Sequence, residues 1–219
     1  MEKLNIICEN VNRNSEQIIQ TLQQENIDVY KFVQHEFKKG NISKNTMFQF
    51  AFRSFYRLDS AGLTPKFKER FFELFEENAE KKNPNMTETL HELANIRNYK
   101  EQKTVQFSFV TKMFHTIDTE HPIYDSEVIT VLGYNQPYHI TDVTKKINTY
   151  NEQYQEICKS YILIKSDKLL RPSIERFNKM FTSHGLNDTI VIDFILWTAG
   201  KLIRATGENT TANIRKTKP

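Results

Sequence analysis

The chain has 219 residues, 38% hydrophobic, 26% charged and 12% aromatic, with a formal net charge of +3. A chain of this length buries roughly 70% of its extended surface, so it needs neither disulfides nor a structural metal to fold. The two cysteines, Cys8 and Cys158, form no metal-ligand spacing, and the mildly basic balance permits a nucleic-acid partner without demanding one.

Phe is used 16 times against 6 Gly and 6 Pro, which points to long helices with aromatic packing and away from a glycine-rich β fold. The opening MEKLNIICEN holds no apolar stretch of signal-peptide type, and no window reaches the length of a membrane span; cytoplasmic residence is expected. Helical periodicity begins over residues 15–25, with Ile18, Ile19 and Leu22 on one side. Val29, Phe32, Val33 and Phe37 predict a second helix, stopped by Gly40. Phe48, Ala51, Phe52, Phe55 and Tyr56 predict a third over residues 45–58, with Gly62 as its left-handed exit. Thr64 as N-cap and Pro65 as first helical residue open a fourth, which turns Phe67, Phe71, Leu74 and Phe75 to the core and breaks at Asn83-Pro84-Asn85.

Residues 87–97 and 103–117 predict a fifth and a sixth helix, and Lys103 stands at the start of the sixth. After a loop, Asp125-Ser126 caps a short helix that Gly133 ends. One long packed helix follows on Ile140, Val143, Ile147, Tyr150, Tyr154, Ile157, Tyr161 and Ile164. Another covers residues 172–184, ended by Gly185. The last, over residues 187–203, is apolar nearly all round and therefore central, with Trp197 as a core residue. The expectation is an all-α fold: one helical domain over residues 1–205, in two lobes with a cleft near 97–133, and a flexible basic tail over 206–219.

Positive charge gathers in two places. Residues 97–115 carry Arg97, Lys100, Lys103 and Lys112 against Glu101, and the chain from Lys201 carries Lys201, Arg204, Arg215, Lys216 and Lys218 against Glu208. Each is either a phosphate-facing surface or ordinary solvated charge. Most catalytic signatures are absent: no phosphate-binding glycine loop, nucleophile elbow or dinucleotide fingerprint. His91-Glu92 begins like a zinc-protease helix, but position 95 is Asn where the second ligand would stand. No metal and no cofactor are expected.

The informative stretch is residues 100–133, KEQKTVQFSFVTKMFHTIDTEHPIYDSEVITVLG. With its Lys at the start of a helix and Pro122-Ile123-Tyr124-Asp125-Ser126-Glu127-Val128 ahead of the next, it resembles the core of the helix-hairpin-helix DNA glycosylase superfamily. The nearer likeness is to the 8-oxoguanine glycosylase branch, the archaeal type above all. Phe55-Tyr56 through Leu63, and Asp193-Phe194-Ile195-Leu196-Trp197, resemble bacterial proteins of that fold. The likeness implies a two-lobed helical glycosylase fold in which Lys103 is the nucleophile, Lys112 the fallback, and Asp125 the carboxylate partner. Arg97, Asn98, Lys100 and Ser126 would bind DNA. The sequence departs from the family at the hairpin, whose turn Arg97-Asn98-Tyr99-Lys100-Glu101-Gln102-Lys103 contains no Gly, so side chains would have to replace backbone phosphate donors.

The spacing also makes chemical sense. Base excision needs a nucleophile at the sugar's anomeric carbon, and a Lys amine serves and forms a Schiff base. It also needs a carboxylate to take a proton or steady positive charge, and Lys103 and Asp125 are expected to face each other across the cleft. The target base must leave the stack, so apolar or aromatic pocket walls are expected as well. The expected function is base excision repair of a damaged or modified purine such as 8-oxoguanine in double-stranded DNA, by a monomeric glycosylase with or without lyase activity. The alternatives are a catalytically inactive or repurposed DNA-binding or phage-defence protein on the same fold, and an unrelated helical interaction protein. Asp125 is also readable as a plain helix cap, and Lys103 and Lys112 as solvated charges.

Overall fold

The structure, a computed structural model, describes residues 1–206. Among these every regular element is helical, so the chain is all-α. In order the helices are α1 (Glu2–Arg13), α2 (Ser15–Thr21), α3 (Gln24–Lys38), α4 (Thr46–Phe55), α5 (Pro65–Glu80) and α6 (Met86–Ala94). They continue as α7 (Phe107–Ile117), α8 (Ser126–Leu132), α9 (Val143–Ser166), α10 (Arg171–Met180) and α11 (Asp188–Thr206), with a 3-10 turn at Leu58–Ala61. Two compact units result. One comprises Met1–Gln24, Glu120–Gln136 and the chain from Gln153; the other comprises Glu25–Thr119 and Pro137–Glu152. The basic tail expected from 206 lies outside the described residues, apart from Thr206, which closes α11.

The first unit is built on α11, whose residues from Thr189 to Leu196 are all buried. Gly200 lets α11 lie directly on α8: a Cβ there would stand 2.4 Å from the Glu127 carbonyl oxygen, well inside contact distance. Asn12 of α1 ties in the α9–α10 corner by donating to Leu169 O at 2.8 Å and accepting from the Ser173 hydroxyl at 2.7 Å.

The second unit has an aromatic core. Phe48 and Phe52 of α4 each meet Phe75 of α5 at 5.4 Å between ring centroids, and Phe71 meets Phe72 edge-on at 5.3 Å. Pairs of this kind add about 0.5–1.5 kcal/mol each to the burial itself. Phe107 at the start of α7 stacks on Tyr150 of α9 at 4.8 Å. Local signals set the ends: Thr64 Oγ1 accepts from Phe67 N, Pro65 stands in the first turn, and Gly62 takes φ +65.

Several boundaries differ from the sequence expectation. α1 is helical although only Cys8 and Val11 of it are buried, too thin a stripe to register as a period. Leu22 is extended, so the helix expected over 15–25 divides into α2 and the start of α3. Ser183, at φ +60, lies beyond the early end of α10. The sixth helix begins at Phe107 and not at Lys103, because the turn before it is closed by its own hydrogen bonds and leaves residues 102–106 outside any helix.

Candidate functional site

In the second unit the functional candidates lie on α7 and on the turn that precedes it. That turn is organised by Asn98. Its Oδ1 accepts from Lys100 N at 2.9 Å and Gln102 N at 3.0 Å, and its own N–H donates to Gln102 O at 3.0 Å. Glu101 N donates to Asn98 O at 3.0 Å, and Glu101 takes φ +56, a left-handed position that a glycine would fill with less strain. The amides of Lys100, Glu101 and Gln102 are therefore spent inside the turn. Asn98 Oδ1 is thus engaged in closing the turn. Arg97 and Lys100 are exposed, and Arg97 Nη1 donates to Glu101 O at 2.8 Å.

Lys103, expected at a helix start, instead lies exposed in the non-helical run before α7, its Nζ 3.2 Å from Asn95 Oδ1. α7 begins four residues later, at Phe107.

Lys112 is the contrasting case. It was expected to face solvent, yet only 7% of its surface is exposed. From Val110 to Thr116 α7 is buried without interruption, which an amphipathic reading does not anticipate. The Lys112 amine donates to Ser108 Oγ at 3.0 Å, one turn back. It lies 5.6 Å from the Tyr56 ring centroid and 5.4 Å from that of Phe109, within cation–π range of both. Tyr56 packs on Phe55 at 4.8 Å, Phe55 on Tyr30 at 6.3 Å, and the Tyr30 hydroxyl lies 3.0 Å from Nε2 of the fully buried His115. One amine and one imidazole, a turn apart on α7, are thus lined by aromatic side chains from α3 and α4.

In the first unit Asp125 is the N-cap of α8, its Oδ1 accepting from Glu127 N at 3.0 Å; Gly133 ends the helix at φ +76. Ser126 is half-buried, and its carbonyl accepts from the Thr130 hydroxyl at 2.7 Å. Glu127 is buried, with Oε1 3.1 Å from Arg204 Nη2 and Oε2 lacking a hydrogen-bond partner among the described residues. Burial pushes its carboxyl above the ordinary carboxylate range, the nearby Asp125 adds to this, and Arg204 opposes it.

Sequence reading missed His115, Glu127 and Asp193. The available signal was the same for all three: a titratable residue at a position that the surrounding apolar pattern assigns to the core. Among the described residues no group of His, Cys, Asp or Glu has metal-holding geometry, and no helix is long and apolar enough to cross a membrane. No family model matches the chain, nor does any curated protein or solved structure.

Proposed function

We propose that the chain excises a damaged or modified purine from double-stranded DNA by amine chemistry, with Lys112 as the nucleophile. The observation that carries the reading is the burial of the Lys112 amine among Tyr56, Phe109 and Ser108. Its amine is held over two aromatic faces inside the unit, and Schiff-base chemistry is a use for a lysine so placed.

In the proposed reaction Nζ, as the free amine, bonds to the sugar's anomeric carbon and the bond to the base breaks. The base leaves with the bonding electron pair and takes up a proton; the nitrogen gives up a proton, the bond from the anomeric carbon to the ring oxygen breaks as that oxygen takes up a proton, and water hydrolyses the resulting Schiff base to free lysine and the open sugar. Asp125 is assigned the carboxylate role by the likeness of its segment to the glycosylase pattern. Arg97, Lys100 and Lys103 supply exposed positive charge for phosphates.

A second reading keeps DNA binding and drops the excision. In its favour, Arg97 and Lys100 are exposed beside the turn, and Asp125 already has a structural duty as the N-cap of α8. Incubation with duplexes carrying single lesions, 8-oxoguanine first, separates the two: release of free base supports excision, and binding without release supports the second.

A further inference from the structure

α11 is apolar almost all round, yet it carries Asp193, a carboxylate only 7% exposed. A buried carboxylate is costly unless its oxygens are bonded, so its partners indicate what it does. Asp193 Oδ1 accepts from the Tyr161 hydroxyl at 2.6 Å and, at the long limit of 3.4 Å, from the backbone N–H of Ile123. Burial, with the Asp193 charge beside it, raises the Tyr161 hydroxyl well above its ordinary range, so it remains a donor.

The Ile123 N–H belongs to the Pro122–Ile123 peptide. The carbonyl of that same peptide, at Pro122, accepts from the Tyr154 hydroxyl at 2.8 Å. One peptide plane is thus held at both polar ends, by α11 through Asp193 and by α9 through Tyr154. The next residues carry the constraint forward. The Tyr124 hydroxyl donates to Gln153 Oε1 at 2.6 Å, and Asp125 N donates to Ile123 O at 3.1 Å. Asp125 then caps α8 through Glu127 N.

We infer that Asp193 is a positioning residue: with Tyr154 it clamps the Pro122–Ile123 peptide and so fixes where Asp125 holds its carboxylate. The inference rests on the proposed function in giving Asp125 a reaction to serve. A residue present for packing alone would be replaceable by Leu in this apolar helix, whereas a clamp requires an acceptor.

The test uses the full chain with Tyr154→Phe, Asp193→Asn and the double variant Asp193→Leu/Tyr161→Phe, in which both members of the buried pair become apolar. Amide exchange at Glu127 reads the Asp125 cap, and exchange at Ile195 reads the integrity of α11. Asp193→Asn retains an acceptor and is expected to stay within about twofold of wild type at Glu127. Tyr154→Phe and the double variant are expected to speed Glu127 exchange about fivefold with Ile195 unchanged, and to lower kcat about tenfold with KM unchanged. Glu127 exchange unaltered in both overturns the inference, as does faster exchange with an unaltered kcat. If the wild-type chain releases no base, the proposed function fails and exchange at Glu127 alone decides whether the clamp exists.

Discussion

The amine of Lys112 lies over the ring of Tyr56, 5.6 Å from its centroid, and bonds to Ser108 Oγ at 3.0 Å. An ammonium group in such a place is partly compensated by the ring faces, but it gives up most of its hydration. Lys112→Met, which keeps the length of the stem and removes the charge, is expected to leave Tm unchanged or raised while base release disappears. Thermal melting alongside an excision assay checks both halves, and a lowered Tm would assign the lysine to the fold.

Asp125 has a structural duty as cap and a proposed chemical one, and Asn separates them. Asn caps helices about as well as Asp, so Asp125→Asn is expected to keep the Tm of wild type. Excision is expected to fall at least about 100-fold, the lower range for loss of a general acid–base group. Turnover near the wild-type rate would leave Asp125 as a cap only.

How much of this was legible in the sequence follows from which physical effects are local. Thr64-Pro65, Asp125 and Gly133 mark helix ends through bonds to near neighbours, and all three stand where they were expected. The aromatic stripe of α4 and the long apolar run of α9 were legible for the same reason, since one period governs each. The turn at Asn98 was not, because a side chain that accepts from two amides displaces the helix start, and no residue-type signal distinguishes that from an ordinary Asn. Nor was the burial of Lys112 and Asp193, which depends on aromatic and hydroxyl partners from other helices.

Arg97 and Lys100 are exposed beside a rigid turn, and they set the electrostatic prediction. Duplex affinity is expected to fall with salt by about 0.9 log units per log unit for each phosphate neutralised. Lys100→Ala is expected to flatten the slope by about one contact, without altering the turn that Asn98 holds. A titration by fluorescence anisotropy measures this, and a slope near zero would remove DNA as the ligand.

Glu127 sets a pH signature. Its carboxyl is raised in the folded chain by burial, which outweighs Arg204 at 3.1 Å. The folded state then holds that proton more tightly than the unfolded chain, so the group's stabilising contribution is lost as pH rises from the ordinary value of 4.5 through the raised one. Glu127→Gln, permanently neutral, is expected to gain Tm relative to wild type over that rise. Melting curves across the range check this, and parallel profiles for the two proteins would show that Glu127 titrates normally.

Borohydride trapping on a lesion-bearing duplex tests the central claim most directly, because a stable adduct forms only where a lysine has made a Schiff base with the sugar. Lys103 and Lys112 are the two candidates, one exposed beside Asn95 and the other buried under Tyr56 and Phe109. The account predicts that wild type and Lys103→Gln give the covalent protein–DNA adduct and that Lys112→Gln gives none while still melting as a folded protein. An adduct that survives Lys112→Gln would contradict it.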